Sequence, residues 1–198
     1  GHYVDDSVAM GMRRLSIIDV DHGDQPFFSQ DKNIVVLCNG EIYNFKELRL
    51  ELEVLGYKFE TNSDIEVLPY LYKEFGEKFV TKLNGMYAIS LWDKQTNNFF
   101  LFRDRMGVKP LYYAHTENGF LYASEMKSIV NSGWVKLDLD YGALSSFLEI
   151  TYIPVPKTPF EFIKKLESAS YLKYNAGKSE IIHYWDPKVE VDPSMTED

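Results

Sequence analysis

Cysteine is almost missing from this chain of 198 residues: Cys38 is the single thiol. One cysteine cannot build a disulfide framework, so packing alone must hold the core together. The four histidines, His2, His22, His115 and His183, are scattered without metal-ligand spacing and read as surface or turn residues. No metal is expected. No apolar run approaches the roughly 20 residues of a membrane-spanning helix, and no signal peptide is visible, so no membrane role is expected. Basic residues never cluster beyond a pair, and the formal net charge is −9. A nucleic-acid partner would call for a basic stripe to neutralise phosphates, so none is expected. What remains, with 45% hydrophobic residues, can bury one full core and form one domain or a little more.

Strand and helix signals alternate along the chain without internal repeats or low-complexity tracts. Short apolar strands are predicted over residues 8–12 and 15–18, followed by a turn-rich stretch to Gln30. Ile34-Val35-Val36-Leu37-Cys38 reads as a buried strand, with Asn39-Gly40-Glu41 placed where it ends. Cys38, with nothing beside it to lower its pKa, is expected to be core. Asn44 is the expected N-cap of a helix with Phe45, Leu48, Leu52 and Leu55 on one face, Glu47 completing a capping box and Gly56 ending it. Ser63-x-x-Glu66 reads as a second capping box, opening a helix with Ile65, Leu68, Leu71 and Tyr72 inward. Residues 86–92 and 99–102 alternate as hairpin strands do, and so do 111–114 and 120–123. A short helix from Glu125 and another over 141–148 follow. Pro154, Pro156 and Pro159 then mark an extended stretch, and two late strands occupy 171–174 and 180–185. Hairpins with helices between them predict an α+β domain, helices lying on antiparallel sheets.

Asn39-Gly40 admits two readings. It is a turn signal in its own right. Equally, a glycine lets a ligand approach the main chain, and the pair offers a backbone N–H and a carboxamide N–H to one oxyanion. The segments around it bear on the choice. Arg13-Arg14-Leu15-Ser16-Ile17-Ile18-Asp19 precedes it and Ser63-Asp64-Ile65-Glu66-Val67 follows. Further on come Leu83-Asn84-Gly85-Met86-Tyr87-Ala88, Arg103-Asp104-Arg105-Met106-Gly107-Val108-Lys109-Pro110-Leu111-Tyr112-Tyr113 and Ala123-Ser124-Glu125-Met126-Lys127. In this order and spacing, the six segments resemble the glutaminase domain of glutamine-hydrolysing asparagine synthetases. That domain is a class II glutamine amidotransferase among the N-terminal-nucleophile hydrolases, and the resemblance runs over residues 1–187. It implies a four-layer αββα sandwich of two antiparallel sheets with outer helices, here lacking the N-terminal strand region. An exposed sheet edge and poor solubility would follow.

The resemblance also implies a site. Glutamine carries a carboxylate, an ammonium and an amide, so selective binding needs a cation, an anion and an oxyanion hole. Arg14 matches the carboxylate-binding arginine, whose guanidinium fork fits two carboxylate oxygens; on its own it reads as a surface arginine. The main chain of Leu15, Ser16, Ile17 and Ile18 lines the glutamine pocket beside it. Asp64 matches the group that holds the ammonium, though a first-turn helix acid looks the same in sequence. Glu41 assists, and Asn39 and Gly40 match the oxyanion donors.

The nucleophile of that family is an N-terminal Cys, in a Cys-Gly-Ile start that would lie upstream of Gly1, so the chain as given is expected to be inactive. Residues 188–198 read as the start of a linker toward an ATP-using synthetase domain with a Ser-Gly-Gly-x-Asp loop, which this sequence does not contain. No cofactor is expected in residues 1–187, while ATP and Mg would belong to the synthetase domain. The implied partners are L-glutamine and that domain, with a homodimer as an admissible assembly and the cytoplasm as the expected location. The alternative is a non-catalytic amidotransferase-like domain with a packing or ligand-binding role. Two departures from the family pattern stand out: Met12 where a His often precedes the arginine pair, and Glu167-Ser168-Ala169-Ser170 in place of Pro-Pro-Gly-His. Arg103-Asp104-Arg105 reads either as an ion-paired strand end or as part of the face toward the synthetase domain.

Overall fold

The computed structural model describes residues 1–13 and 24–188. In chain order, short strands β1 (His2–Val4), β2 (Ala9–Gly11) and β3 (Phe27–Phe28) precede the long strand β4 (Ile34–Ile42). Helices α1 (Phe45–Val54) and α2 (Val67–Phe75) follow, then a 3-10 helix over Gly76–Lys82. Strands β5 (Gly85–Asp93), β6 (Asn98–Arg103), β7 (Tyr112–Thr116) and β8 (Gly119–Ala123) make the two hairpins expected from alternation. Helices α3 (Met126–Asn131) and α4 (Tyr141–Ile150) and strands β9 (Lys164–Lys165), β10 (Ser170–Asn175) and β11 (Lys178–His183) complete the chain. The protein is α+β with antiparallel sheets.

The main sheet has the order β11-β10-β6-β5-β4-β3, and a second sheet has the order β8-β7-β9. β1 and β2 form a separate ribbon. Side chains alternate across a strand, so each strand of the main sheet feeds two cores. On one face Val36, Cys38, Ile89, Leu91, Phe100 and Phe102 pack with Leu48, Leu52, Leu68 and Leu71 of the first two helices. On the other, Val35, Leu37, Leu101 and Leu172 meet Met10, Leu111, Tyr113 and Leu166. Ala114, next to Tyr113 on β7, belongs to a third cluster with Ile129, Val135 and Ile163.

Three local expectations are corrected. The strand does not stop at Cys38: β4 runs on through Asn39-Gly40-Glu41, and every residue to Ile42 is paired with β5. The two capping boxes do not form either. The Asn44 side chain makes no cap hydrogen bond. Its Nδ2 donates to the Lys82 carbonyl at 3.0 Å and its Oδ1 accepts from the Asn84 N–H at 2.9 Å. Burying a leucine fully is worth about 1.5–3 kcal/mol, against about 1 kcal/mol for a cap, so Leu48 and Leu52 hold α1 without one. Glu66 precedes α2 without capping it; its carboxylate accepts from the Glu60 and Thr61 N–H groups and the Thr61 hydroxyl, and pairs with Arg49. Both side chains answer partners that the local pattern cannot show.

The segment Arg103-Asp104-Arg105 is also not an ion-paired strand end. The buried Arg103 guanidinium donates to three main-chain carbonyls, those of Lys109, Leu166 and Gly107. Asp104 accepts from the N–H groups of Tyr87, Met106, Val108 and Lys109.

Candidate functional site

β4 carries the Asn-Gly-Glu motif to its far end, and β5 fixes its register, with Asn39 opposite Ala88 and Gly40 opposite Tyr87. Gly40 is required sterically. A Cβ there would lie 2.0 Å from the Met86 carbonyl oxygen, at a φ of +155°. Alternation turns Cys38 toward the helix-covered face and Asn39 toward the opposite one. Upstream of β3, the Gln25 side chain acts as a strand partner for Cys38. Its Oε1 accepts from the Cys38 N–H at 2.7 Å and its Nε2 donates to the Cys38 carbonyl at 3.0 Å.

Asn39 looks into a cleft of 580 Å³ between the two sheets, lined among others by Met12, Arg13, Leu111, Ser124 and Lys127. Its Nδ2 donates to Ser124 Oγ at 3.3 Å, joining β4 to the loop that follows β8. Asp64 lies just before α2 and is buried to 2% exposure. Its Oδ2 accepts the Ile42 N–H at 2.8 Å, which pins the carboxylate beside the end of β4. The fold therefore gathers Asn39, Gly40, Glu41 and Asp64, from two separate motifs, around one strand end. Arg14, Leu15, Ser16, Ile17 and Ile18 lie outside the described residues. Ser124 belongs to a motif noted in the sequence but was given no role there, and no local signal joins it to a residue 85 positions away.

Chemically, this end of β4 offers a carboxamide N–H toward a cleft and a buried carboxylate anchored on the main chain. Among the described residues, no group of three His, Cys, Asp or Glu is placed to hold a metal ion. No helix among them is long and apolar enough to cross a membrane. The Cys38 thiol is buried at 2% exposure. Burial pushes its pKa well up and the Asp64 charge adds to this, while Lys109 opposes. Thiolates, not thiols, react. Iodoacetamide is therefore expected to leave Cys38 untouched in the folded chain and to label it readily in guanidinium, as followed by intact mass. Rapid labelling of folded protein would contradict this burial.

Comparison with known proteins gives concordant findings. A family model described as the glutamine amidotransferase domain matches residues 1–185. Asparagine synthetase [glutamine-hydrolyzing] 1 of Bacillus subtilis (strain 168) is 41% identical over 170 residues, covering 86% of this chain and 27% of that protein. Asparagine synthetase B [glutamine-hydrolyzing] of Escherichia coli (strain K12) is 44% identical over 131 residues, covering 66% of this chain and 24% of that protein. The chain thus spans about a quarter of the length of these curated relatives. Among solved structures, glutamine phosphoribosylpyrophosphate amidotransferase from B. subtilis superposes with a TM-score of 0.56 at 22% identity, covering 81% of this chain and 32% of that one. The allosteric regulatory enzyme of purine biosynthesis gives 0.57 at 22% identity, over 82% and 31%. Both share the fold.

Proposed function

Because the chain belongs to the glutamine amidotransferase domain family, we propose that it forms the glutamine-binding part of a glutamine-hydrolysing asparagine synthetase. In this reading, glutamine is hydrolysed to glutamate, and the ammonia released serves to amidate an ATP-activated aspartate in a partner synthetase domain. Residues 1–187 are the domain body and 188–198 lead toward that partner. The observation that carries the proposal is the convergence of Asp64 and Asn39-Gly40-Glu41 on one strand end, through the hydrogen bond from the Ile42 N–H to Asp64.

Glutamine laid along this end of β4 would direct its ammonium to Asp64, its carboxylate to Arg14 and its amide carbonyl to Asn39 and Gly40. Attack by an N-terminal Cys thiolate turns that carbonyl into a tetrahedral oxyanion. The Asn39 carboxamide and the Gly40 main chain then stabilise charge that exists only after attack. Asp64 and Arg14 meet groups charged both before and after attack, so they contribute uniform binding.

The test uses protein extended ahead of Gly1 by a nucleophile-bearing segment that starts Cys-Gly-Ile. Asp64→Asn keeps an acceptor for the Ile42 N–H while removing the charge. Loss of a charged hydrogen bond costs about 1.5–3 kcal/mol, so KM for glutamine is expected to rise roughly 10- to 100-fold with kcat little changed. Arg14→Ala is expected to behave alike. Steady-state glutamate release measures both. A fall in kcat at constant KM for either variant would overturn these roles.

A further inference from the structure

Asn39 must present the right edge of its carboxamide to an oxyanion, and nothing in β4 itself decides which edge that is. The amide torsion of asparagine is broad and roughly two-fold, so a half-turn exchanges the N–H donors for the carbonyl oxygen. An oxyanion facing the carbonyl oxygen would be repelled rather than held. Among the described residues, the Asn39 side chain has one hydrogen-bond partner, Ser124 Oγ, which accepts from Nδ2 at 3.3 Å. Asn39 and Ser124 line the same cleft from its two walls, one on β4 and the other directly after β8.

We propose that Ser124 is a positioning residue for the oxyanion hole: by accepting one Nδ2 hydrogen of Asn39, it holds the other pointed into the cleft. The carboxamide nitrogen carries two hydrogens, so engaging one with Ser124 leaves a donor for the substrate and restrains the amide torsion; a half-turn would require the Ser124 hydroxyl to reorient and donate to Oδ1. The contact also bridges the two sheets, tying the direction of that donor to the separation of the cleft walls. This inference rests on the glutaminase reading and adds to it a residue that does not touch substrate.

Two measurements test it. In the chain as it stands, the Asn39 side-chain NH2 pair is found in a 1H–15N spectrum by its loss in Asn39→Ala. Ser124→Ala is expected to shift that pair and to speed its hydrogen exchange, while Ser124→Thr retains the parent's behaviour. An unchanged Asn39 pair in Ser124→Ala would overturn the proposal whatever the activity. In protein extended by the Cys-Gly-Ile segment, Ser124→Ala is expected to lower kcat about 10-fold at constant KM, a fraction of what losing the donor itself costs. Ser124→Thr is expected to restore it, and Ser124→Ala is expected to add nothing in an Asn39→Ala background. Additive losses, or a change confined to KM, would also overturn it. Failure of the extended parent to release glutamate, with the Asn39 resonances responding to Ser124→Ala, would instead remove the glutaminase reading and leave the contact in place.

Discussion

Replacing Gly40 with alanine is expected to leave the domain without a stable fold. The new Cβ would stand 2.0 Å from the Met86 carbonyl oxygen and 2.7 Å from the Tyr87 Cα. Both are main-chain atoms of β5, where Met86 and Tyr87 are paired with Glu41 and Gly40 and Tyr87 is also hydrogen-bonded to Asp104, so neither can yield without breaking these bonds. Backbone strain at the positive φ adds to the clash. A cost above about 4 kcal/mol is expected, a large share of the roughly 5–15 kcal/mol that separates folded from unfolded in a typical domain. Gly85→Ala should behave similarly, since its Cβ would meet the Glu41 carbonyl oxygen at 2.2 Å from the other strand. Urea unfolding followed by circular dichroism measures both. A Gly40→Ala protein with the parent's unfolding midpoint would show that the strands are not this close. Loss of activity in this variant would carry no information about catalysis, because the fold fails first.

Asn39→Ala is the informative variant at the same site, with the largest kinetic effect. Asn39 sits on the cleft side of β4 and its only side-chain partner among the described residues is the Ser124 hydroxyl, so truncation leaves the ladder intact. In protein extended by the Cys-Gly-Ile segment, kcat for glutamine hydrolysis is expected to fall about 10²–10³-fold, the usual cost of one oxyanion donor. KM is expected to stay within about twofold, because neutral glutamine amide gains little from a donor placed for a full negative charge. A rise in KM at constant kcat would mean that Asn39 binds the ground state and is no oxyanion donor.

Elements whose signal is local were legible in the sequence. Residues 86–92 and 99–102 alternate because each side chain faces one of two cores, and that period is written in the residues themselves. The extent of β4 was not legible, because Asn39-Gly40 carries the local signature of a turn. The reason it is not one lies at Gly85 and Met86, more than 40 residues later, where two backbones come together too closely for a Cβ. Asn44 and Glu66 misled for the same reason: each has a capping shape, but their polar atoms are claimed by Lys82, Asn84, Arg49, Glu60 and Thr61. Of the site, Asp64 and the Asn-Gly-Glu motif could be named from sequence pattern and resemblance. That Asp64 reaches β4 through the Ile42 N–H could not, and neither could the reach of Ser124 to Asn39, since both contacts exist only once the chain has folded.

The manner in which Arg103 is held bears on how the protein responds to ionic strength. Surface pairs such as Lys73–Asp31, with each side chain more than a third exposed, are screened as salt is added. Among the described residues no carboxylate comes within ion-pair distance of Arg103, though against its burial the neighbouring Asp104 charge favours its charged form; its three hydrogen bonds end on main-chain carbonyls of residues 107, 109 and 166. The loop from Asp104 to Lys109 and the turn before β10 are thus fastened by a charge that dissolved electrolyte cannot reach. Concentrated salt is expected to weaken the exposed ion pairs and to leave this joint unchanged.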